Sequence, residues 1–381
     1  MDASPQRPAH TAALTPAKKR AFALILILLL VGLCEWLAAR ILPDDLATGR
    51  LILLGHEEKQ LVRMQKTIPH PYLQYIHAPN YVSEQFGPQH NEDGYRGEAV
   101  PLDRQDDVYR IVCLGGSTTY GGSVGRAHQA YPAVLDELLS TNLPEGVRDV
   151  EVINAGLTWG TSAELLTHYH FKFHYYQPDL VIINTGGNDA QAYTFPFYHP
   201  DYSNWRQPMV NLRPLAHGWR WLALSRVSSA LILNIFYVDQ LRGGQFVIRE
   251  GAKPPAPWFK PGGNLIETPQ EISPRHMAFL HNIEALIRTA RAGGADVLLV
   301  PFRAAPDGYR NKPEELHQIL RHERILKQLA EKHDLGFAPF PASVISRRNW
   351  TDHCHLNPAG EREKAAHIAK YVRPFIRPPR S

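Results

Sequence analysis

The most constraining stretch of the sequence is residues 110–122, which read RIVCLGGSTTYGG. Its first half is the β-branched, apolar run typical of a strand inside a parallel sheet. Two glycines then allow a sharp turn, and Ser117 follows them. A serine just beyond the carboxyl end of such a strand lies where open α/β sheets bind ligands. Taken alone, a serine that caps a turn or helix is the simpler interpretation, so a function depends on stretches farther along the chain.

Strand patterns alternate with helix patterns after this point. We expect further strands at residues 150–154, 180–184, 296–300 and 335–340, and helices at 130–140, 162–176, 225–241, 273–292, 313–332 and 358–372. This alternation predicts an α/β fold with a doubly wound parallel sheet of five strands. Residues 190–272 break the rhythm, because they are rich in proline, aromatic residues and arginine. We expect them to form an insertion that caps the carboxyl edge of the sheet.

The N-terminal region indicates a membrane anchor. Residues 1–20 are polar and end in Lys18, Lys19 and Arg20, and we expect them to be disordered. The apolar run at 21–42 has enough residues to cross a bilayer as a helix. Positive charge upstream of that run predicts that the N-terminus stays inside and the rest is translocated. A cleaved signal peptide and a buried core helix are the alternatives.

Residues 43–107 form a lead-in between the apolar run and the first sheet strand. We expect a helix at 46–65, followed by an irregular, proline-containing segment that packs across the main domain.

Composition excludes several classes of protein. A net charge of +4 over 381 residues, with no basic block outside the N-terminus, gives nucleic-acid binding little support. The cysteines, Cys34, Cys113 and Cys354, are too few for a disulfide framework, and no zinc-type spacing is present. A bridge between Cys113 and Cys354 is conceivable in an oxidising compartment.

Three later stretches supply groups that suit nucleophilic catalysis. Gly156 and Asn188 each follow a predicted strand, and Asp352 and His355 precede the last helix in an Asp-x-x-His pattern. The carboxylate can hold one ring nitrogen of His355 and leave the other free to act as a base toward the hydroxyl of Ser117. The backbone N–H groups of Ser117 and Gly156, with the side chain of Asn188, would supply the donors that a tetrahedral acyl oxyanion requires.

Each of these residues also has a plainer interpretation. Gly156 suits an ordinary tight turn, and Asn188 and Asp189 suit helix capping. His353 is a rival for the base, although its position next to Asp352 points the two side chains apart. The four pieces become informative because they fall on successive loops at one edge of one sheet.

At this point the chain resembles the SGNH hydrolases, also called the GDSL esterase/lipase superfamily. The family's four marks fall on Ser117, Gly156, Asn188 and His355, with Asp352 as the acid of the triad. The resemblance covers about 108–372, apart from 190–272, and implies a hydrolase domain over 108–376. It also implies a flavodoxin-like three-layer α/β/α sandwich and no metal or organic cofactor.

Two short stretches refine this resemblance. Gly116 stands where the name-giving motif of the family has Asp, a position outside the triad. The segment 91–97 looks like one that precedes the catalytic domain in many exported bacterial members.

The function that follows is an expectation with two alternatives. We expect a single-pass protein of the cytoplasmic membrane, with a serine esterase or acyl hydrolase domain on the periplasmic side. Its substrate would be an O-acyl ester of an envelope glycan or lipid, cleaved through an acyl-enzyme. An O-acyltransferase that passes the acyl group to a polysaccharide hydroxyl is the first alternative, and a non-catalytic envelope binding module is the second.

Overall fold

The computed structural model describes residues 15–41, 50, 53–54, 66–70, 72–83, 85–195, 198–202, 204–205, 215–236 and 272–378. The chain divides into two compact units. The N-terminal unit comprises residues 1–58 and 212–242, and the main unit comprises residues 59–211 and 243–381. Each unit is described by itself below.

The strands of the described residues all belong to the main unit. They are β1 (Thr67–His70), β2 (Gln74–His77), β3 (Val82–Ser83), β4 (Gly87–Pro88), β5 (Val108–Gly115), β6 (Asp149–Gly156), β7 (Leu180–Thr185), β8 (Asp296–Pro301) and β9 (Gly336–Phe337). The α-helices among the described residues are α1 (Pro16–Ile41), α2 (Ser117–Tyr120), α3 (Tyr131–Leu139), α4 (Ser162–Phe171), α5 (Gly187–Thr194), α6 (Arg226–Phe236), α7 (Ala278–Ala292), α8 (Pro313–His333) and α9 (Pro358–Val372).

The last five strands form one parallel sheet in the order β6-β5-β7-β8-β9. Numbered by their sequence within this sheet, the strands run 2-1-3-4-5, which is the flavodoxin-like order. The sheet is built from apolar runs, and every residue of β5 and β7 is buried. The structure therefore confirms the predicted fold class and its five-stranded parallel sheet.

Helices cover both faces of the sheet and complete three layers. On one face, side chains of β5 and β7 such as Val112 and Ile183 pack against α4, α7 and α8. On the other face, residues such as Ile111 and Ile182 pack against α3 and α9. Strand residues alternate between the two clusters because successive side chains point to opposite faces.

The lead-in is more regular than the sequence pattern indicated. Within 67–88, where an irregular segment was expected, β1 pairs with β2 and β3 with β4 in two small antiparallel sheets. These strands have only two to four residues each, so they are too short to show a periodic pattern. The helix predicted at 46–65 falls almost wholly outside the described residues.

The N-terminal unit contains the apolar helix. Helix α1 begins five residues earlier than the predicted span, and an 18-residue stretch of it has a mean hydropathy of 2.5 with none of it buried. It is the one helix in the described part of the chain that is long and apolar enough to cross a membrane. Helix α6, predicted at 225–241, is found at Arg226–Phe236 and belongs to this unit. The cap that we expect from 190–272 therefore stays a prediction.

Two buried side chains of opposite charge tie the last helix to the rest of the hydrolase domain. Lys364 and Glu361 lie one turn apart on α9, and each is 2% exposed. The Lys364 ammonium donates to the carbonyl of Thr118 at 2.9 Å and to Oδ1 of Asn184 at 2.7 Å. The Glu361 carboxylate accepts from the amide of Tyr131 at 2.9 Å. Burial lowers the pKa of Lys364 and raises that of Glu361, while their mutual attraction opposes both shifts.

We expect Lys364→Met to lower the free energy of unfolding by about 3–5 kcal/mol, because it removes the hydrogen bonds to Thr118 and Asn184 and the positive charge that stabilises the buried Glu361 carboxylate. Glu361→Gln in the same chain should restore part of this loss. Lys370→Met on the exposed face of α9 is the matched control. Denaturant unfolding of the full chain measures all three, and equal stabilities of the Lys364 and Lys370 variants would contradict the pairing.

The same variant should depend on pH in a defined direction. Because the pKa of Glu361 is raised, the folded Lys364→Met variant retains a proton that the unfolded chain releases above its ordinary carboxyl range. The loss of stability should therefore be smaller near about pH 5 than near about pH 8.

Candidate active site

The loop after β5 carries Ser117 at the carboxyl edge of the sheet. Strand β5 lies between β6 and β7, where the strand order reverses, and open α/β sheets place their ligand crevices at such points. A Cβ atom on Gly115 would overlap the side chain of Thr119 and the carbonyl of Asn184, so only glycine fits there. Gly116 is the N-cap of α2, and Ser117 is its first residue. The helix predicted at 130–140 is found as α3, which begins at Tyr131.

The structure brings the three residues of the predicted triad together. Ser117 Oγ lies 2.8 Å from His355 Nε2, and His355 Nδ1 lies 2.7 Å from Asp352 Oδ2. The side chain of His355 is 20% exposed and that of Asp352 is 42% exposed. This arrangement orients the imidazole so that one nitrogen contacts the carboxylate and the other contacts the hydroxyl.

The turn that carries Asp352 keeps its carboxyl group ionised. Burial alone would raise the pKa of Asp352, but hydrogen bonds outweigh it and lower the pKa to about 2. The amides of Cys354 and His355 donate to Oδ1 at 2.8 and 2.7 Å, and the imidazole of His355 contacts Oδ2. The Asp352 carboxyl group is therefore ionised at neutral pH.

His353, the rival for the base, lies beside this triad and packs against Tyr309. His353 Nδ1 is 3.9 Å from Asp352 Oδ1, and its ring packs edge-on against Tyr309 at 5.2 Å. Both His353 and Tyr309 line the cleft above Ser117. His355, rather than His353, makes the short contact with the Ser117 hydroxyl.

Two of the three residues expected to supply oxyanion donors, Ser117 and Asn188, line the cleft. The amide of Ser117 lies at the start of α2, and Asn188 lies at the start of α5. Asn188 Nδ2 donates to the carbonyl of Gly160 at 2.8 Å, which uses one of its two hydrogens. The same nitrogen is 2.8 Å from the place that a Cβ of Gly116 would occupy, so Asn188 lies directly against the nucleophile loop.

Gly156 does not fit the donor role that the sequence suggested. Its amide donates to Asn154 Oδ1 at 3.0 Å, and a Cβ atom there would collide with the backbone of Thr119 and Tyr120. Gly156 thus allows α2 to pack closely on β6, and it is not part of the cleft lining. Gly160, four residues later, lines the cleft instead, although its amide donates to the carbonyl of Leu157 at 2.8 Å.

The loop that presents Gly160 has a strained backbone. Trp159 also lines the cleft and has a φ of +64°, a left-handed conformation that is uncommon for a bulky residue. Such conformations persist where the surrounding structure enforces them, often at functional sites.

The cleft above Ser117 is small, and its lining carries both polar and apolar surface. Its volume is about 270 Å³, at the lower limit of ordinary ligand pockets. Lys66 and Lys312 contribute ammonium groups, and the ammonium of Lys312 lies 3.4 Å from Glu315. The ammonium of Lys66 lies 4.2 Å from the ring centre of Tyr120, and burial, with a contribution from Arg96, lowers its pKa to about 8.

Sequence reasoning missed a buried arginine that supports the nucleophile loop. Arg96 lies within the 91–97 segment and is 3% exposed. Its guanidinium donates to the carbonyls of Tyr120 at 2.9 Å and Val124 at 2.7 Å, and it stacks over the ring of Tyr120 at 4.5 Å. The signal was the unusual Gly-Tyr-Arg-Gly run, but its partners are not visible in the sequence.

One cluster in the described part of the chain has the composition of a metal site. Ligand atoms of Asp352, Cys354 and His355 lie within 4.8 Å of one another. However, Asp352 and His355 contact each other, and His355 Nε2 contacts Ser117. Burial raises the pKa of the Cys354 thiol, so the sulfur is a poor ligand. The arrangement suits a serine nucleophile better than a metal ion.

Both thiols of the conceivable disulfide are unbonded in this structure. Cys113 is buried within β5, and Cys354 is buried in the turn beside His355.

Comparisons with solved structures return hydrolases of low sequence identity. A lipase/acylhydrolase from Enterococcus faecalis is 17% identical, with a TM-score of 0.42 over 72% of this chain and 100% of that one. An acetylxylan esterase from Geobacillus stearothermophilus, solved as a catalytic mutant, is 15% identical, with a TM-score of 0.39 over 72% of this chain and 97% of that one. A comparison with curated proteins gave no match.

The match to a protein family is more direct. Residues 113–363, about two-thirds of the chain, match the GDSL-like lipase/acylhydrolase family. This range includes Ser117, Asn188, Asp352 and His355. It agrees with the resemblance in the sequence and with the flavodoxin-like sheet described above. The chain belongs to the GDSL-like lipase/acylhydrolase family and is a serine ester hydrolase.

Proposed function

We propose that the protein cleaves a carboxylic ester through a Ser117–His355–Asp352 triad and an acyl-enzyme. The observation that carries this proposal is the pair of short contacts at His355, 2.8 Å to the Ser117 hydroxyl and 2.7 Å to the Asp352 carboxylate. A nucleophile, a base and an orienting group in this order are the parts that covalent acyl transfer requires.

The first half of the reaction forms the acyl-enzyme. His355 Nε2 removes the hydroxyl proton as Ser117 Oγ attacks the ester carbonyl carbon. The tetrahedral intermediate collapses, the bond to the alcohol oxygen breaks, and the imidazolium returns its proton to the departing alcohol. Asp352 stays ionised throughout and stabilises the imidazolium, which agrees with its low pKa.

The second half releases the acyl group. A water molecule gives a proton to His355 and attacks the carbonyl carbon, and the Ser117 Oγ–acyl bond breaks as that proton passes to Oγ. The products are the carboxylic acid and the free enzyme. A sugar hydroxyl in place of water would give acyl transfer by the same steps.

The negative charge that develops on the carbonyl oxygen needs donors in the cleft. We propose that the amide of Ser117 and the free amide hydrogen of Asn188 supply two of them. Gly160 would add a third only if its amide left the carbonyl of Leu157. Donors fixed in advance stabilise the transition state without reorganisation at the moment of reaction.

The dimensions of the cleft favour a short acyl group on a polar alcohol. A volume of about 270 Å³ is ample for an acetyl group together with part of an alcohol. The lining carries Lys66, Lys312, Gln191 and Asn188, which suit the hydroxyl-rich surface of a sugar. We therefore propose an O-acetylated envelope glycan as the substrate class, in preference to a lipid.

The location follows from α1 and the charges before it. With Lys18, Lys19 and Arg20 retained on the cytoplasmic side, α1 would span the membrane and leave the hydrolase domain on the extracytoplasmic side. A signal peptidase would remove α1 if it were a leader, so the length of the mature chain tests this part.

We expect Ser117→Ala to abolish hydrolysis of p-nitrophenyl acetate by the full chain in detergent. The nearby exposed Ser123→Ala should retain the wild-type rate, and it serves as the matched control. Equal rates for the wild type and the Ser117 variant would overturn the triad. Addition of deacetylated glycan acceptors, followed by mass spectrometry, separates hydrolysis from acyl transfer.

We expect Asn188→Ala to lower kcat by about 10²–10³-fold with little change in KM, because the donor acts mainly in the transition state. Gln191→Ala, another amide in the cleft lining, should change kcat by less than about tenfold. Steady-state kinetics on the acetyl ester measures both variants. A loss confined to KM would show that Asn188 binds the ground state instead.

A further inference from the structure

The N-terminal unit joins the apolar helix α1 to helix α6 of the insertion through one carboxylate. Glu35 of α1 accepts hydrogen bonds from the Ser225 hydroxyl at 2.5 Å and from the amides of Arg226 and Val227 at 2.7 and 3.3 Å. These amides are the free donors at the start of α6, where the helix dipole also favours negative charge. The acidic residue that interrupts the apolar run of α1 thus caps a second helix, 190 residues farther along the chain.

Other polar groups at this junction form hydrogen bonds within the unit. The Ser229 hydroxyl donates to the carbonyls of Ala223 and Ser225 at 3.1 and 2.8 Å. Arg50 donates to the carbonyls of Ala223 and Leu224 at 2.8 and 2.7 Å, which closes the turn before α6. Internal satisfaction of backbone and hydroxyl groups is what a low-dielectric surrounding requires.

Among the described residues, the outer surface of the same segment is apolar and exposed. Four large side chains of the stretch 217–236 are more than half exposed: Trp219 at 59%, Trp221 at 61%, Leu224 at 65% and Leu231 at 57%. The inner side packs Ala223 and Leu233 with Leu53 at 0% exposure, so the unit has a core of its own. Two exposed tryptophans beside exposed leucines are typical of a membrane–water interface.

The length of α6 limits how it can meet a bilayer. Its 11 residues extend about 16 Å, roughly half of a hydrocarbon core, so it cannot cross a membrane. Glu35 lies six residues before the end of α1, or about 9 Å along the helix axis. If α1 spans the membrane, the contact between Glu35 and the first residues of α6 places the start of α6 at the depth of the membrane–water interface. Arg226, exposed at this level, can reach the headgroups.

We propose that the segment 217–236 is a second membrane-contacting element, an interfacial helix that Glu35 docks onto the transmembrane anchor. The partner that covers the exposed apolar side chains of this segment is the lipid of the bilayer that α1 spans. The exposed apolar side chains insert at the headgroup–acyl boundary, and Trp219 and Trp221 lie in the polar margin of that layer. The hydrolase domain, from which this segment departs and to which it returns, is then attached to the membrane at two places in its sequence.

The test measures lipid contact at Leu231 in the full chain. An environment-sensitive NBD label is attached to Leu231→Cys in a Cys34→Ser background, since Cys113 and Cys354 are buried. The protein is reconstituted in vesicles of phosphatidylethanolamine and phosphatidylglycerol that carry doxyl quenchers near the headgroups or deep in the chains. Leu320→Cys, at an exposed leucine of α8, is the matched control in the same background. In a separate sample, the wild-type chain labelled at Cys34 reports the insertion of α1.

We expect shallow doxyl lipids to quench the label at 231 several-fold more than the label at 320. Protection of 231 from aqueous iodide without quenching by lipid would mean that a protein surface covers it, and this result would overturn the proposal. Quenching at 231 equal to that at 320 would do the same. Quenching at Cys34 but not at 231 would support α1 as a membrane anchor and would reject membrane contact by the segment 217–236.

A further variant tests the role of Glu35. Glu35→Ala removes the cap of α6, so it should reduce lipid quenching at 231 and raise access to iodide. Unchanged quenching would overturn the docking role of Glu35. Leu224→Cys offers a second label position if Leu231→Cys folds poorly. Hydrolysis of p-nitrophenyl acetate should be unchanged in every labelled chain, which separates this inference from the proposed function.

Discussion

The contact between Ser117 and His355 depends on the packed position of the last helix, α9, at the edge of the sheet. The two residues are 238 positions apart, and nothing local holds them together. The Lys364 ammonium supplies the link, because it binds the carbonyl of Thr118, next to the nucleophile, from a helix that starts three residues after His355. Arg96 holds the far side of the same loop through the carbonyls of Tyr120 and Val124. Two buried cations thus fix the position of one hydroxyl.

Much of the architecture was predictable because parallel strands carry a strong local signal. The β-branched run before Ser117 and the alternation of strands with helices identified the sheet, and the Asp-x-x-His spacing identified a turn that pairs its two side chains. Helix α9 was found at its predicted bounds, since Pro358 and the Asn357 cap mark its start. These features depend on neighbours in sequence, so the sequence alone can show them.

The features that escaped prediction depend on partners distant in sequence. Gly156 was assigned a free amide, but Asn154 accepts from it, and a spacing pattern does not reveal an acceptor. The small sheets of the lead-in have strands too short for periodicity. Lys364 and Arg96 act by donating hydrogen bonds to backbone carbonyls. Every residue has such a carbonyl, so the residue types in the sequence do not indicate which ones are bound.

Asn188 owes its fixed position to its neighbour in sequence. Asp189 is fully buried, and its carboxylate accepts from the Ser162 amide at 3.1 Å and from the hydroxyls of Ser162 and Tyr202 at 2.5 Å. It therefore accepts from the first amide of α4, whose N-cap is Thr161, and it links α5 to α4 and to Tyr202. The conformational entropy of the amide donor is thus lost once, when the chain folds, and need not be lost again in each catalytic cycle.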